Sequence, residues 1–202
     1  MQKNLLLETI KIEEGKIYNL IYHQKRCDNS RKVLFNSTDR LHLSSIINPP
    51  KMGLWRCRIL YAKTFYSIEY IPYKAKKIHT LKIVPSTIDY SHKYANREAL
   101  NQLSLLHDDV DEIIIEKDGY LSDTTIANIA FYDGTKWFTP DKPLLAGTTR
   151  KKLLDEGFLK IKDIKKEDLF TYSHVALMNA MLGFVVLNRI SIKDLQGDIY
   201  AY

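Results

Sequence analysis

Three short segments carry side chains able to do chemistry. Gly147-Thr148-Thr149-Arg150 stands directly before a predicted helix. Backbone N–H groups at a helix N-terminus, with threonine hydroxyls beside them, make a cradle for a phosphate. The same residues would also serve as an ordinary N-cap. Ser122-Asp123-Thr124-Thr125-Ile126-Ala127-Asn128 follows a strongly apolar strand, so an acid and an amide fall near buried surface. A carboxylate there needs a partner or a function, and an Asx turn held by Asp123 is the plainer alternative. Lys93 lies in Ser91-His92-Lys93-Tyr94-Ala95-Asn96-Arg97, at the mouth of a predicted helix. An amine is a nucleophile and a proton carrier, although most lysines are solvated surface charge. No GxGxxG, Walker loop, HExxH motif, CxxC pair or Ser-centred nucleophile elbow is present, which removes the commonest cofactor and hydrolase signatures.

Strands and helices must position these segments. Leu5–Ile12 alternates loosely, Glu13-Glu14-Gly15-Lys16 turns, and Ile17–Ile21 reads as a second strand. His23–Phe35 reads as a helix, and Trp55–Tyr61 with Phe65–Tyr70 as a strand pair. Lys76–Val84 is a further strand, and Tyr94–His107 places Leu100, Leu103 and Leu106 at helical spacing. Glu112–Glu116 precedes a turn at Lys117-Asp118-Gly119, and Asp133-Gly134 joins Asn128–Tyr132 to Lys136–Thr139 as a hairpin. Thr149–Glu156 is a short helix ending near Gly157, and His174–Leu182 is read as another. The interleaving lacks the strict alternation of a doubly wound sheet, so the class is α+β or irregular α/β. A composition shift near Pro85 sets a boundary at 85–90.

The 202 residues are 45% apolar and 27% charged, an ordinary globular composition large enough to fold without a metal or disulfide staple. The longest stretch without a charge or histidine, Val175–Asn188, has 14 residues and is too short to span a bilayer. Met1–Lys16 alternates apolar residues with Lys and Glu, unlike a signal peptide. Cys27 and Cys57 do not form a disulfide framework, and the simplest compartment is a reducing cytoplasm. The net charge of +6 is uneven: residues 1–93 carry 17 basic and 7 acidic side chains, whereas the remainder is net acidic. A basic half suggests an anionic partner, either nucleic acid or a small molecule bearing phosphate or carboxylates.

Taken in order, the pieces Leu6-Glu8-Thr9, Tyr22-His23-Gln24-Lys25-Arg26, Lys93-Tyr94-Ala95-Asn96-Arg97, Asp111-Glu112, Ser122–Asn128, Thr139-Pro140, Leu145–Arg150 and Asn179-Ala180-Met181 resemble the class IV (fold type IV) pyridoxal-phosphate aminotransferase and lyase superfamily, in particular the aminodeoxychorismate lyases. The resemblance implies two small α/β domains, a shortened N-terminal one over 1–87 and a cofactor-binding one over 88–202. It implies pyridoxal 5'-phosphate as cofactor. Lys93 stands where the family's Schiff-base lysine stands, and Asp123 where a carboxylate pairs with the pyridine nitrogen. Arg26 matches the phosphate-contacting arginine of a His-x-x-Arg pattern. Thr148 and Thr149 match the phosphate loop, and Asn128 and Asn179 match active-site asparagines. The family usually has Glu where this chain has Asp123, which is one methylene shorter.

Those residue types suit the chemistry. A lysine holds an aldehyde and moves protons, a carboxylate keeps a pyridine nitrogen protonated, and a guanidinium with helix-end amides takes a phosphate. Within the superfamily the pattern Lys93-x-x-Asn96-Arg97 resembles the lyases. The reaction it implies converts 4-amino-4-deoxychorismate into 4-aminobenzoate and pyruvate, feeding folate synthesis. Arg58, Arg97 and Arg150 are the candidates for the substrate carboxylates. An amino-acid transaminase acting on branched-chain or D-amino acids is the alternative within the fold. A basic nucleic-acid module is the alternative outside it, but no binding motif is present and the basic residues are scattered. The expected partners are a small-molecule substrate and, by resemblance, a second copy in a homodimer, with no nucleic acid and no membrane.

Overall fold

The structure, a computed structural model, describes residues 5–202; the start of the Met1–Lys16 segment lies outside the described residues. The described chain divides into two compact units. One holds the residues up to Ala75 together with His92–Asn96, and the other holds Lys76–Ser91 and Arg97–Tyr202. The division is therefore not a single cut near residue 87.

In the first unit, β1 (Leu6–Glu13) turns into the two-residue β2 (Lys16–Ile17) and then into helix α1 (Leu20–Phe35). After the single turn α2 (Leu43–Ile46), strands β3 (Leu54–Tyr61) and β4 (Phe65–Pro72) complete an antiparallel sheet of order β2-β1-β3-β4. The predicted strand over 17–21 thus ends at Ile17, and Leu20 and Ile21 already belong to α1. Asn19 and Asn36 bracket α1 in the left-handed conformation, which asparagine tolerates better than most residues. The buried side of α1 is His23, Gln24, Cys27, Ser30 and Arg31, a spacing of three and four residues that gathers polar groups on the core side. Gln24 fixes α2 by donating to Leu41 O at 2.8 Å and accepting from Leu43 N at 2.8 Å. Cys27 and Cys57 are buried free thiols.

The second unit begins with β5 (Thr80–Pro85) and helix α3 (Glu98–Leu105), followed by β6 (Glu112–Lys117), β7 (Tyr120–Thr124), β8 (Asn128–Tyr132) and β9 (Trp137–Pro140). Helix α4 (Thr148–Asp155), β10 (Leu159–Lys162), β11 (His174–Asn179), β12 (Gly183–Leu187), β13 (Ser191–Lys193) and β14 (Ile199–Ala201) complete it. Its ten-stranded mixed sheet runs β10-β9-β8-β7-β6-β5-β13-β14, with β11 paired to β8 and β12. Residues 76–87 belong here because β5 lies between β6 and β13, parallel to both. The Asp118-Gly119 turn between β6 and β7 has both central residues at positive φ, the mirror-image turn that matches strand twist. Mixed sheets with few helices make the class α+β.

Two expectations are corrected. His174–Leu182 is not a helix: Val175–Met178 is a fully buried run in a central strand, where the apolar period that separates helix from strand is lost. Helix α3 starts only at Glu98, because Lys93–Ala95 runs extended beside β1, with Leu7 N donating to Lys93 O at 2.9 Å and Ala95 N to Leu5 O at 2.7 Å. No helix among the described residues is long and apolar enough to cross a membrane.

The core of the second unit gathers Leu81, Ile83, Ile114, Ile129, Phe131, Val175, Leu177 and Ile192. Phe131 is fully buried, with its ring 5.3 Å from that of Tyr172. Phe131→Ala should lower stability by about 3–5 kcal/mol, measured by urea unfolding followed by far-ultraviolet dichroism.

Candidate active site

In the second unit the site is built on the β7–β8 turn. Thr124 closes the turn: its N–H donates to Ala127 O at 2.9 Å, and its hydroxyl oxygen accepts from Ala127 N at 3.0 Å. This places Asp123 and Asn128 side by side as register partners. Asp123 is 3% exposed. Its Oδ1 accepts from Asn128 Nδ2 at 2.8 Å and its Oδ2 from Leu145 N at 2.9 Å. Burial pushes its carboxyl up to about 6, against the hydrogen bonds from Asn128 and Leu145 N and the charge of Arg150, which pull it down.

The same Leu145 segment leads into the N-terminus of α4. Thr148, Thr149 and Arg150 are buried there, and the hydroxyl of Thr149 has no hydrogen-bond partner. A buried hydroxyl without a partner costs free energy unless something polar arrives to meet it. Arg150 donates from Nη2 to Pro140 O at 2.7 Å and from Nε to Thr139 Oγ1 at 3.3 Å.

The turn is also clamped from beneath. Glu112, a buried acid at the start of β6, accepts from Thr125 Oγ1 at 2.7 Å and from Thr125 N at 3.3 Å. Arg97 donates to Thr125 O at 2.7 Å and lies over the Tyr90 ring. Asn179 donates to Ile126 O at 3.1 Å and accepts from Met181 N and Leu182 N, so it ties the turn after β11 to the turn after β7.

In the first unit the chemistry-bearing side chains surround Glu8. Period-two alternation puts Glu8 on the same face of β1 as Leu6, Ile10 and Ile12, where it is fully buried. Its oxygens accept from Arg26 Nε at 2.8 Å and Nη2 at 2.5 Å, and from His23 Nδ1 at 2.6 Å. Burial alone would raise this carboxyl, but the charge of Arg26 and the hydrogen bonds from His23 and Arg26 outweigh it and hold it at about 2. His23 is lowered by burial, with the charges of Arg26 and Lys93 acting in the same direction against Glu8. A carboxylate offers no donor, so Nδ1 of His23 carries a proton toward Glu8. Lys93 therefore lies within the electrostatic reach of this group, half-buried and backed by β1. Arg58 is on β3 facing away from Glu8 and pairs with Glu69 on β4.

The structure thus gathers Asp123, Asn128, Thr148 and Thr149 along one continuous segment pair, and Arg26 and Lys93 around Glu8. The three candidate substrate arginines each have a contact within the protein. Glu8 and Glu112 had no assigned role in the sequence, although for Glu8 an acid on the inward side of an alternating strand is a legible signal.

Residues 58–190 match the family model described as amino-transferase class IV. The chain belongs to that family. It is 38% identical over 184 residues to an uncharacterized protein of Haemophilus influenzae, covering 88% of this chain and 98% of that one. The crystal structure of a provisionally named 4-amino-4-deoxychorismate lyase from Haemophilus somnus superposes with a TM-score of 0.83 at 38% identity, covering 91% and 99%. A hypothetical aminotransferase from Mycobacterium tuberculosis, in its pyridoxal-phosphate-bound form, has a TM-score of 0.74 at 13% identity, covering 94% and 82%, and so shares the fold. The fold is that of the fold type IV enzymes.

The opposite shifts of the two buried acids give opposite pH dependence. The stabilisation from Glu8 is complete above its ordinary 4.5 and is lost as pH falls toward about 2. Asp123 is raised from 3.8 to about 6, so its contribution falls as pH rises across that window. Glu8→Gln should cost about 3–5 kcal/mol at pH 7 by leaving Arg26 without its carboxylate. Denaturant unfolding at pH 7 and pH 3 should show a smaller acid-induced loss in the variant than in the wild type.

Proposed function

We propose that the protein is a pyridoxal-phosphate-dependent lyase that converts 4-amino-4-deoxychorismate into 4-aminobenzoate and pyruvate, a step toward folate. The observation that carries the cofactor is a pair of buried groups in the second unit: a sealed carboxylate at Asp123, and an unpartnered Thr149 hydroxyl at the N-terminus of α4. A protonated pyridine nitrogen answers the first and a phosphate the second. Aspartate keeps the charge of the family's usual Glu, and both its oxygens are held in place. The choice of lyase is supported by the 38% identity and near-complete overlap with the provisionally named lyase.

In this reading Thr148, Thr149 and the amides of the first turn of α4 take the phosphate, with Arg26 as its guanidinium partner, oriented by Glu8. Bound pyridoxal phosphate supplies an electron sink for the substrate's broken C–H bond. Lys93 would hold the cofactor, and with substrate bound its Nζ would remove the proton from the amine-bearing ring carbon. The C–O bond to the pyruvyl group breaks, the ring becomes aromatic, and Lys93 returns the proton to the departing enolate. The two products account for every atom of the substrate, so no keto-acid acceptor is consumed. Of the three arginines considered for the substrate carboxylates, Arg97 is preferred. It is half-buried and anchored at the functional turn, whereas Arg150 is buried on Pro140 O and Arg58 is paired with Glu69. A homodimer accompanies the reading, as the family resemblance implies, and a reducing cytoplasm suits its two free cysteines.

The reading is tested by supplying 4-amino-4-deoxychorismate to the cofactor-loaded protein. Equimolar 4-aminobenzoate and pyruvate should appear without an added keto acid, and Lys93→Ala should lower the rate by at least about a thousandfold. Turnover that requires a keto-acid acceptor would establish the transaminase instead.

A further inference from the structure

Asn128 matches an active-site asparagine by sequence, and both hydrogens of its side-chain amide are used within the protein. One hydrogen of its amide goes to Asp123 Oδ1 and the other to Leu145 O, each at 2.8 Å. Both partners are acceptors only, which fixes which end of the amide is nitrogen. The peptide of Leu145 returns the contact, because its N–H donates to Asp123 Oδ2 at 2.9 Å. Carboxylate, amide and peptide therefore form a closed ring of hydrogen bonds in which both carboxylate oxygens are held. The remaining Asn128 oxygen lies against Gly147, where an added Cβ would stand 1.9 Å from it. That contact makes glycine necessary at the entry to α4 for a steric reason.

We propose that Asn128 is a positioning residue that sets the proton affinity and orientation of Asp123 and locks the Leu145–Gly147 segment to it, without touching the cofactor. The inference rests on the pyridoxal-phosphate reading for the word cofactor, but the hydrogen-bonded ring does not depend on it. Asp123 also feels Arg150 on α4, and Arg150 in turn feels Asp141 after β9; these are the charged groups whose fields bear on the site. Asn128 adds no charge to that set, so its removal acts on Asp123 through the lost hydrogen bond alone.

The experiment uses the full chain labelled with 13C at aspartate carboxyls. The Asp123 resonance is assigned by its loss in Asp123→Asn. It is titrated without cofactor in the wild type, in Asn128→Leu and in the smaller Asn128→Ala, which covers failure of the first variant to fold. Pyridoxal phosphate affinity is then measured by absorbance across the same pH range. The expected result is a rise of about tenfold in the proton affinity of Asp123 in both variants. The acid limb of cofactor binding should move up by the same amount, while affinity well above the limb changes little. An unmoved Asp123 titration overturns the proposal, as does a loss of affinity that is uniform across pH, which would mark a direct contact. A wild-type protein that binds no pyridoxal phosphate at any pH, with the Asp123 titration shifted as expected, would remove the cofactor reading and leave the positioning of Asp123 by Asn128 standing.

Discussion

A carboxylate sealed from water must be neutralised, paired or hydrogen-bonded, and the second unit is organised around that constraint at Asp123. The tight turn closed by Thr124 brings Asn128 to it, and the chain leading into α4 brings the amide of Leu145. Gly147 has no side chain because Asn128 occupies the space beside it. The clamp of Glu112 and Arg97 on Thr125 keeps the turn from relaxing away. These hydrogen bonds are enough to orient the carboxylate but not to offset its burial, so it stays at about 6 rather than in the ordinary range. A nearby cation would complete the balance, and a protonated ring nitrogen is such a cation.

Glu8 shows the other solution to the same constraint. Arg26 and His23 meet its oxygens directly, and the carboxyl falls to about 2. Glu8 is thus satisfied within the folded chain, whereas Asp123 is oriented and left short of charge. That contrast separates an acid that holds a cation in place from one poised to receive a ligand's cation. It also gives Glu8 a part in the account, since the guanidinium it orients is the one assigned to the phosphate.

Much of the frame was legible in the sequence. Asp118-Gly119 and Asp133-Gly134 mark the hairpins because short turns demand special backbone angles, and few residues supply them. Asp123, Thr148 and Thr149 were legible as chemistry because their types stood beside apolar or helix-starting sequence. β11 was not legible, since a strand buried on both faces carries no alternation. The extended course of Lys93–Ala95 was hidden as well, because it depends on backbone pairing with β1 far away in sequence. Asn128 was legible as a residue of the site, but its partners within the protein were not. Its hydrogen bonds run to Asp123 across a turn and to the carbonyl of Leu145, a residue identity that sequence pattern does not mark.

The central claim is that this chain holds pyridoxal phosphate through Lys93. The most direct measurement adds pyridoxal phosphate to the purified protein, reduces it with borohydride, and maps the modified peptide by mass spectrometry. The account predicts a visible absorption band before reduction and one cofactor fixed per chain, on Lys93. Absence of the band, or fixation on other lysines with Lys93 unmodified, would contradict it.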